Sequence, residues 1–211
     1  MNSPSSSSLD SWFPPAAADA PVPKALRAIG VIGTGRAATA VAHWCAVRGF
    51  GVVMHDTEAA ALTRSVEVIR TLFREMEERN EIEHAVAHKA MGGIGITTGL
   101  EDMEFCDMLL DTLMEDGASK RTRFAEFARI MPPEAVLATG ASSAALDELA
   151  AATPGPERVI GLQFFEPVAA SQQVQVVIGA RTSRATAERV LGFVGRLDKR
   201  AVIQGVPRNG A

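Results

Sequence analysis

The stretch that most limits how this chain can fold is Gly33-Thr34-Gly35-Arg36-Ala37-Ala38. An apolar run from Ala28 to Ile32 leads into it, and a helical pattern from Arg36 to Arg48 leaves it. A chain that turns from strand to helix this quickly needs backbone conformations that glycine permits. Gly33 allows the tight turn, Gly35 lets another group approach the backbone, and Ala38 is small enough for the helix to pack closely on a sheet. Amide groups of the first helical turn then converge on one point and favour an anion there. A second apolar run, Gly51 to His55, ends at Asp56. A carboxylate in that position accepts hydrogen bonds from ribose hydroxyls and repels a 2′-phosphate, so the two features together read as a site for NAD rather than NADP. The alternative is a glycine-rich structural turn, with Asp56-Thr57-Glu58 capping the next helix. Arg36 either contacts the pyrophosphate or is solvated.

The pattern beyond this point alternates short apolar runs with helical periodicity. Strands are expected at Ala28–Ile32, Gly51–His55, Ile94–Thr98, Asp107–Asp111, Ala135–Thr139, Arg158–Leu162, Val174–Ile178 and near Arg200–Ile203. Between the second and third strands, Glu58 to about Phe73 and Glu81 to Ala90 read as two amphipathic, charge-rich helices. Later helices are expected near Ala118–Ile130, Ala144–Ala151 and Ser183–Gly195. Such alternation implies an α/β fold of the Rossmann type, a doubly wound and mostly parallel sheet covered on both faces. Its unusual feature is the helical hairpin excursion after the second strand. We expect residues 25–211 to form one dinucleotide-binding domain. Residues 1–24, with a serine run and several prolines, read as a flexible tail in which only Trp12 and Phe13 are candidates for docking.

Bulk properties exclude several function classes. With 21 Lys+Arg, 25 Asp+Glu and a net charge of −4, mixed along the chain, neither nucleic acid nor an anionic membrane is the expected partner. No apolar run approaches the roughly 18–20 residues that span a bilayer. Cys45 and Cys106 read as reduced thilos of a cytoplasmic protein rather than a disulfide framework. His84 and His88 lie at i, i+4, but with no third ligand nearby they read as a solvated face, and no metal is expected.

Three stretches carry a resemblance. The loop Gly33–Ala38, the segment AVLATGASSAALDEL from Ala135 to Leu149, and PERVIGLQFFEPV from Pro156 to Val168 are similar to the NAD-binding domain of 3-hydroxyacyl-CoA dehydrogenases. The similarity runs from about Arg27 to Ile203 and includes the helical excursion. It implies NAD as cofactor and an acyl-CoA as substrate. In that family a histidine at the tip of the sixth strand removes the substrate hydroxyl proton. A glutamate on the next strand orients it, and a serine contacts the substrate oxygen.

By this resemblance, Ser142 falls on the family serine, and Glu115 and Lys120 fall on residues that line the cofactor site near the nicotinamide. The histidine position is Gln163 and the glutamate position is Gln175. The asparagine after the two phenylalanines is Glu166. Glutamine hydrogen-bonds but carries no proton at working pH. The two amides are expected to satisfy each other, since a glutamine gives a carboxylate no charge to stabilise. The sequence stops at Ala211, before the helical second domain that the family would place next.

The expected function is therefore an NAD(H)-binding protein that lacks normal dehydrogenase activity, acting alone, as a homodimer or with a partner subunit. One alternative is an active oxidoreductase on a related carbonyl substrate with Glu166 as replacement base. Another is a truncated fragment, or a domain whose remainder lies on a partner chain. Trp12 and Phe13 are candidate interface residues. Lys89, Arg70, Arg74 and Arg79 either met a CoA phosphate or are solvated.

Overall fold

The computed structural model describes residues 9–10, 12–14, 22–113 and 117–205. Strands β1 (Ala28–Ile32), β2 (Gly51–His55), β3 (Ile94–Thr97), β4 (Met108–Asp111), β5 (Val136–Thr139), β6 (Val159–Phe164), β7 (Gln173–Ile178) and β8 (Arg200–Gly205) form one sheet, in the order β3-β2-β1-β4-β5-β6-β7-β8. Pairing is parallel from β3 through β6. β7 runs antiparallel to β6, and β8 runs parallel to β7. Six α-helices connect the strands: α1 (Arg36–Val47), α2 (Ala59–Glu78), α3 (His84–Gly92), α4 (Gly117–Ile130), α5 (Ser143–Ala151) and α6 (Arg184–Arg196). This is the expected Rossmann-type α/β architecture. The strand order reverses between β1 and β4, which opens a crevice at their carboxyl ends.

Burial on both faces follows from strand periodicity. Val31 and Leu110 join one apolar cluster with Val41, Leu62, Ile69, Val190 and Phe193 of α1, α2 and α6. Their chain neighbours Ile32 and Leu109 join the other, with Phe124, Phe127, Leu146 and Leu149 of α4 and α5. The helix after β2 runs longer than expected, to Glu78, because its buried stripe of Leu62, Ser65, Ile69, Phe73 and Met76 keeps helical spacing past Phe73. The next helix starts later than expected, at His84. β6 also extends beyond the expected Leu162. Antiparallel pairing with β7 carries it to Phe164, so Gln163 lies inside the strand rather than at its tip.

Two polar anchors tie distant segments together. Asp107 accepts from the backbone N–H of Arg27 (2.8 Å) and of Ala28 (3.1 Å) and pairs with Lys24 at 3.0 Å. Burial pushes its carboxyl up, but those backbone donors and Lys24 outweigh burial and hold it below the ordinary carboxylate range. Arg158, buried, donates to the carbonyls of Ala128 (2.6 Å) and Pro132 (2.7 Å), so it fastens the end of α4 to the approach to β6.

The described residues between 9 and 14 fall in the stretch expected to be a tail, yet they are folded onto the domain. Trp12 N–H and Phe13 N–H both donate to Leu9 carbonyl, forming a single turn. That turn buries Leu9 and Phe13, at 1% and 3% exposure, in the core cluster of α1 and α6. Arg184 fixes it from α6, pairing with Asp10 at 3.0 Å and donating to Pro14 carbonyl at 2.9 Å. Farther along α6, Arg189 donates to Lys24 carbonyl and Arg196 to Leu26 carbonyl. Composition concealed this because the i, i+3, i+4 spacing of Leu9, Trp12 and Phe13 lies inside a serine- and proline-rich context. Phe13 is therefore taken up by its own domain and offers no surface to a second copy. We predict that Phe13→Ala lowers unfolding free energy by about 3 kcal/mol, as large-to-small core substitutions do. Urea denaturation measures this, and a solvated tail residue would change nothing.

Candidate functional site

The glycine loop crosses the crevice where the strand order reverses. Gly33 has φ 101°, in the left-handed region, and its N–H donates to His55 carbonyl at 2.8 Å. A Cβ there would come within 2.8 Å of Leu113 Cδ2, so both conformation and space require glycine. Gly35 differs. It is the N-cap of α1 in ordinary extended conformation, and a Cβ on it would meet nothing within 4 Å. No side chain caps α1, and its first turn holds no acidic residue. The N–H groups of that turn and the open space above Gly35 thus suit a pyrophosphate. Ala38 is fully buried, as close packing of α1 on the sheet demands.

Asp56 sits between the glycine loop and the start of α2. Thr34 Oγ1 donates to its Oδ2 at 2.7 Å, which ties the glycine loop to the end of β2. Its Oδ1 accepts the Glu58 N–H at 3.1 Å, steering the chain into α2. Each oxygen has a further lone pair to offer a ribose hydroxyl. Thr34 carbonyl, in turn, accepts from Thr39 Oγ1 and from Ser65 Oγ. The residues present fit the dinucleotide.

On the far side of the crevice, Asp111 ends β4 with its side chain fully buried. Lys120 Nζ lies 3.3 Å from Asp111 Oδ2 and donates to Leu113 carbonyl at 3.1 Å. Burial pushes the Asp111 carboxyl up, against the pull of Lys120. Lys120 therefore faces inward and is bonded to Leu113, just past β4. Glu115, expected beside it, lies outside the described residues. Ser142 is the exposed N-cap of α5 and makes no side-chain capping bond. Thr139, buried at the end of β5, has an Oγ1 with no partner among the described residues.

The two glutamines stand directly opposite each other in the β6–β7 register, Gln163 facing Gln175. They do not satisfy each other as expected. Gln175 Nε2 donates to Gln204 Oε1 on β8 at 2.8 Å, while Gln163 is exposed. The carboxylate of Glu166, the candidate replacement base, forms an ion pair with Arg36. Arg36 pairs with Glu166 while its side chain stays largely exposed.

Sequence reasoning missed the cleft that this ion pair borders. It has a volume of about 480 Å³ and lies between α1, α2 and the turn after β6. Trp44, Leu72, Met76 and Val168 supply apolar walls, and Arg36, Arg79, Glu81 and Glu166 supply charge. His43 also lines it, is 4% exposed, stacks edge-on against Phe73 at 4.6 Å, and has no partner for Nε2 among the described residues. Burial pushes its pKa down to about 4. His84 Nδ1 lies 2.8 Å from Glu77 Oε1 at the surface, and no group of three or more metal-ligating side chains occurs among the described residues. None of their helices is long and apolar enough to cross a membrane.

Comparison with known proteins follows the same lines. Residues 28–205 match the family model described as 3-hydroxyacyl-CoA dehydrogenase, NAD binding domain. A 3-hydroxybutyryl-CoA dehydrogenase from Bradyrhizobium diazoefficiens is 35% identical over 179 residues, 84% of this chain and 61% of that protein. A probable 3-hydroxybutyryl-CoA dehydrogenase from Deinococcus radiodurans is 34% identical over 170 residues, 81% of this chain and 61% of that protein. The crystal structure of 3-hydroxybutyryl-CoA dehydrogenase from Escherichia coli superposes with a TM-score of 0.83 at 26% identity, covering 86% of this chain and 39% of that one. The chain thus spans about three fifths of the length of the two curated relatives.

The geometry separates folding from binding at two positions. We predict that Gly35→Ala leaves the melting temperature unchanged while weakening NADH binding at least about tenfold, because only the ligand needs that space. Gly33→Ala will instead destabilise the fold by about 1–3 kcal/mol, the cost of forcing a side chain into the left-handed region. Thermal melts and NADH fluorescence titrations on both variants check this. His43 generates a pH prediction. Its folded pKa of about 4 lies below the unfolded value near 6.5, so the unfolded chain takes up a proton first as pH falls. Its contribution is intact above pH 6.5 and is lost as pH falls toward 4. Between pH 7.5 and 5, wild type will lose about 1–2 kcal/mol more than His43→Gln in urea denaturation.

Proposed function

This chain belongs to the 3-hydroxyacyl-CoA dehydrogenase NAD-binding-domain family, and from that premise we propose that it binds NAD(H) without turning over the family's hydroxyacyl-CoA substrates. The carrying observation is the pair of neutral amides at the β6–β7 junction. Gln163 stands where the family resemblance places the proton-accepting histidine. Gln175, opposite it, is bonded to Gln204 and supports no charge on Gln163. When bound, the nicotinamide accepts or supplies a hydride. The chain's own residues would cradle the pyrophosphate on the amides of Gly35 and the first turn of α1, hold the ribose at Asp56, and shape the loop after β4 through Lys120 and Asp111. None of these removes a hydroxyl proton from a substrate. Loss of a positioned general base costs about 10²–10⁴ in rate.

The cleft beside the loop suits the acyl or pantetheine portion of an acyl-CoA. Trp44, Leu72 and Met76 offer apolar contact, and Arg36 and Arg79 lie within reach of phosphate. Such a protein would serve as a cofactor-responsive binding module, alone, as a homodimer or completed by a partner subunit. Pairing of Glu166 with Arg36 speaks against its service as a replacement base. Both cysteines are free and buried, with thiols pushed up by burial to about 12 for Cys45 and about 11 for Cys106, as suits the reducing cytoplasm.

One sample tests the proposal. NADH titration followed by fluorescence should saturate, and acetoacetyl-CoA should produce no oxidation of that NADH. Turnover in the ordinary enzymatic range of about 1–10³ s⁻¹ overturns the reading.

A further inference from the structure

The Arg36–Glu166 ion pair links the two parts of the site. Arg36 is the first residue of α1, so its backbone belongs to the anion-binding turn. Its side chain is 88% exposed and reaches away from that turn to Glu166, in the turn between β6 and β7. Both residues line the cleft of about 480 Å³. A pyrophosphate on the α1 N-terminus carries two negative charges and meets the same guanidinium, in a geometry that arginine binds bidentately. Glu166 offers a single carboxylate across an exposed contact, an arrangement worth little in water. The exchange of one partner for the other is therefore close to balanced, and a bound dinucleotide tips it.

We propose that Arg36 is an exchangeable latch. In the free protein it pairs with Glu166 and closes the border between glycine loop and cleft. When a dinucleotide binds, its pyrophosphate takes the guanidinium and Glu166 is released into the cleft mouth. Glu166 is thus a built-in competitor for the cofactor's phosphates, and cofactor binding opens the cleft to a second ligand. By linkage, a cleft ligand that displaces Glu166 strengthens cofactor binding by the same factor. The inference rests on the NAD(H)-binding reading and adds an order of events to it.

The test is a double-mutant cycle read by NADH fluorescence, with Gly35→Ala as control for the site itself. Glu166→Gln should tighten NADH about threefold, the scale of an exposed ion pair. Arg36→Gln should weaken it, and the double variant should match Arg36→Gln alone, because Glu166 acts only through Arg36. Melting temperatures within the error of wild type establish that each variant is folded. An unchanged NADH affinity in Glu166→Gln, or strictly additive effects, overturns the latch. If Gly35→Ala still weakens binding in that case, the latch alone has failed. If Gly35→Ala binds NADH as wild type does, or wild type binds none, the cofactor-site reading has failed and the latch with it.

Discussion

The turn at Gly33 has no slack, and the crevice is organised around it. Its N–H is bonded to the end of β2 through His55 carbonyl, and its missing side chain leaves room for Leu113 after β4. Thr112 closes the third side, donating from both N–H and Oγ1 to Ile32 carbonyl. The ends of β1, β2 and β4 are thus drawn together at one residue. Because that residue must bend back within a single peptide, α1 starts immediately and aims its uncapped N–H groups into the crevice. The anion-binding surface and the central packing of the sheet are consequences of the same geometric restriction.

Elements buried on two faces were readable from the chain, and elements defined by distant partners were not. β1 and β2 have the expected ends because continuous apolar runs stop where the loop chemistry of Gly33 and Asp56 begins. β6 runs past the apolar segment that marks it in the sequence, because its last residues are held by pairing with β7 rather than by apolar character. The two glutamines stand opposite each other, yet the expected bond between them gives way to one from Gln175 to Gln204. Gln204 lies on β8, and nothing local to Gln175 indicates that an edge strand will take its amide. Similarly, Arg36 and Glu166 each have an ordinary local reading, a loop arginine and a turn carboxylate. Only the return of the chain between β6 and β7 to the α1 N-terminus brings them together.

His43 and Asp111 show how burial shapes charge on the two sides of this sheet. Both are removed from water, and each is driven toward its neutral form, His43 downward in pKa and Asp111 upward. Asp111 has Lys120 to oppose that drift, and His43 is packed against the ring of Phe73. The cleft wall at His43 is thus an uncharged polar surface set among apolar groups, whereas the crevice floor at Asp111 pairs with Lys120 beside Leu113. The cleft and the crevice thus present different electrostatic surroundings.

Cys45 lies in the cluster that α1 and α6 build on one face of the sheet, and Cys106 lies in the cluster that α4 and α5 build on the other. Neither is bonded to the other, and both are shielded. A thiol reagent can reach each only when its own side of the sheet opens. The molecule therefore carries a pair of native reporters, one per layer. Their relative alkylation rates, followed by mass spectrometry without any introduced label, distinguish a domain that breathes as one unit from one whose layers separate independently.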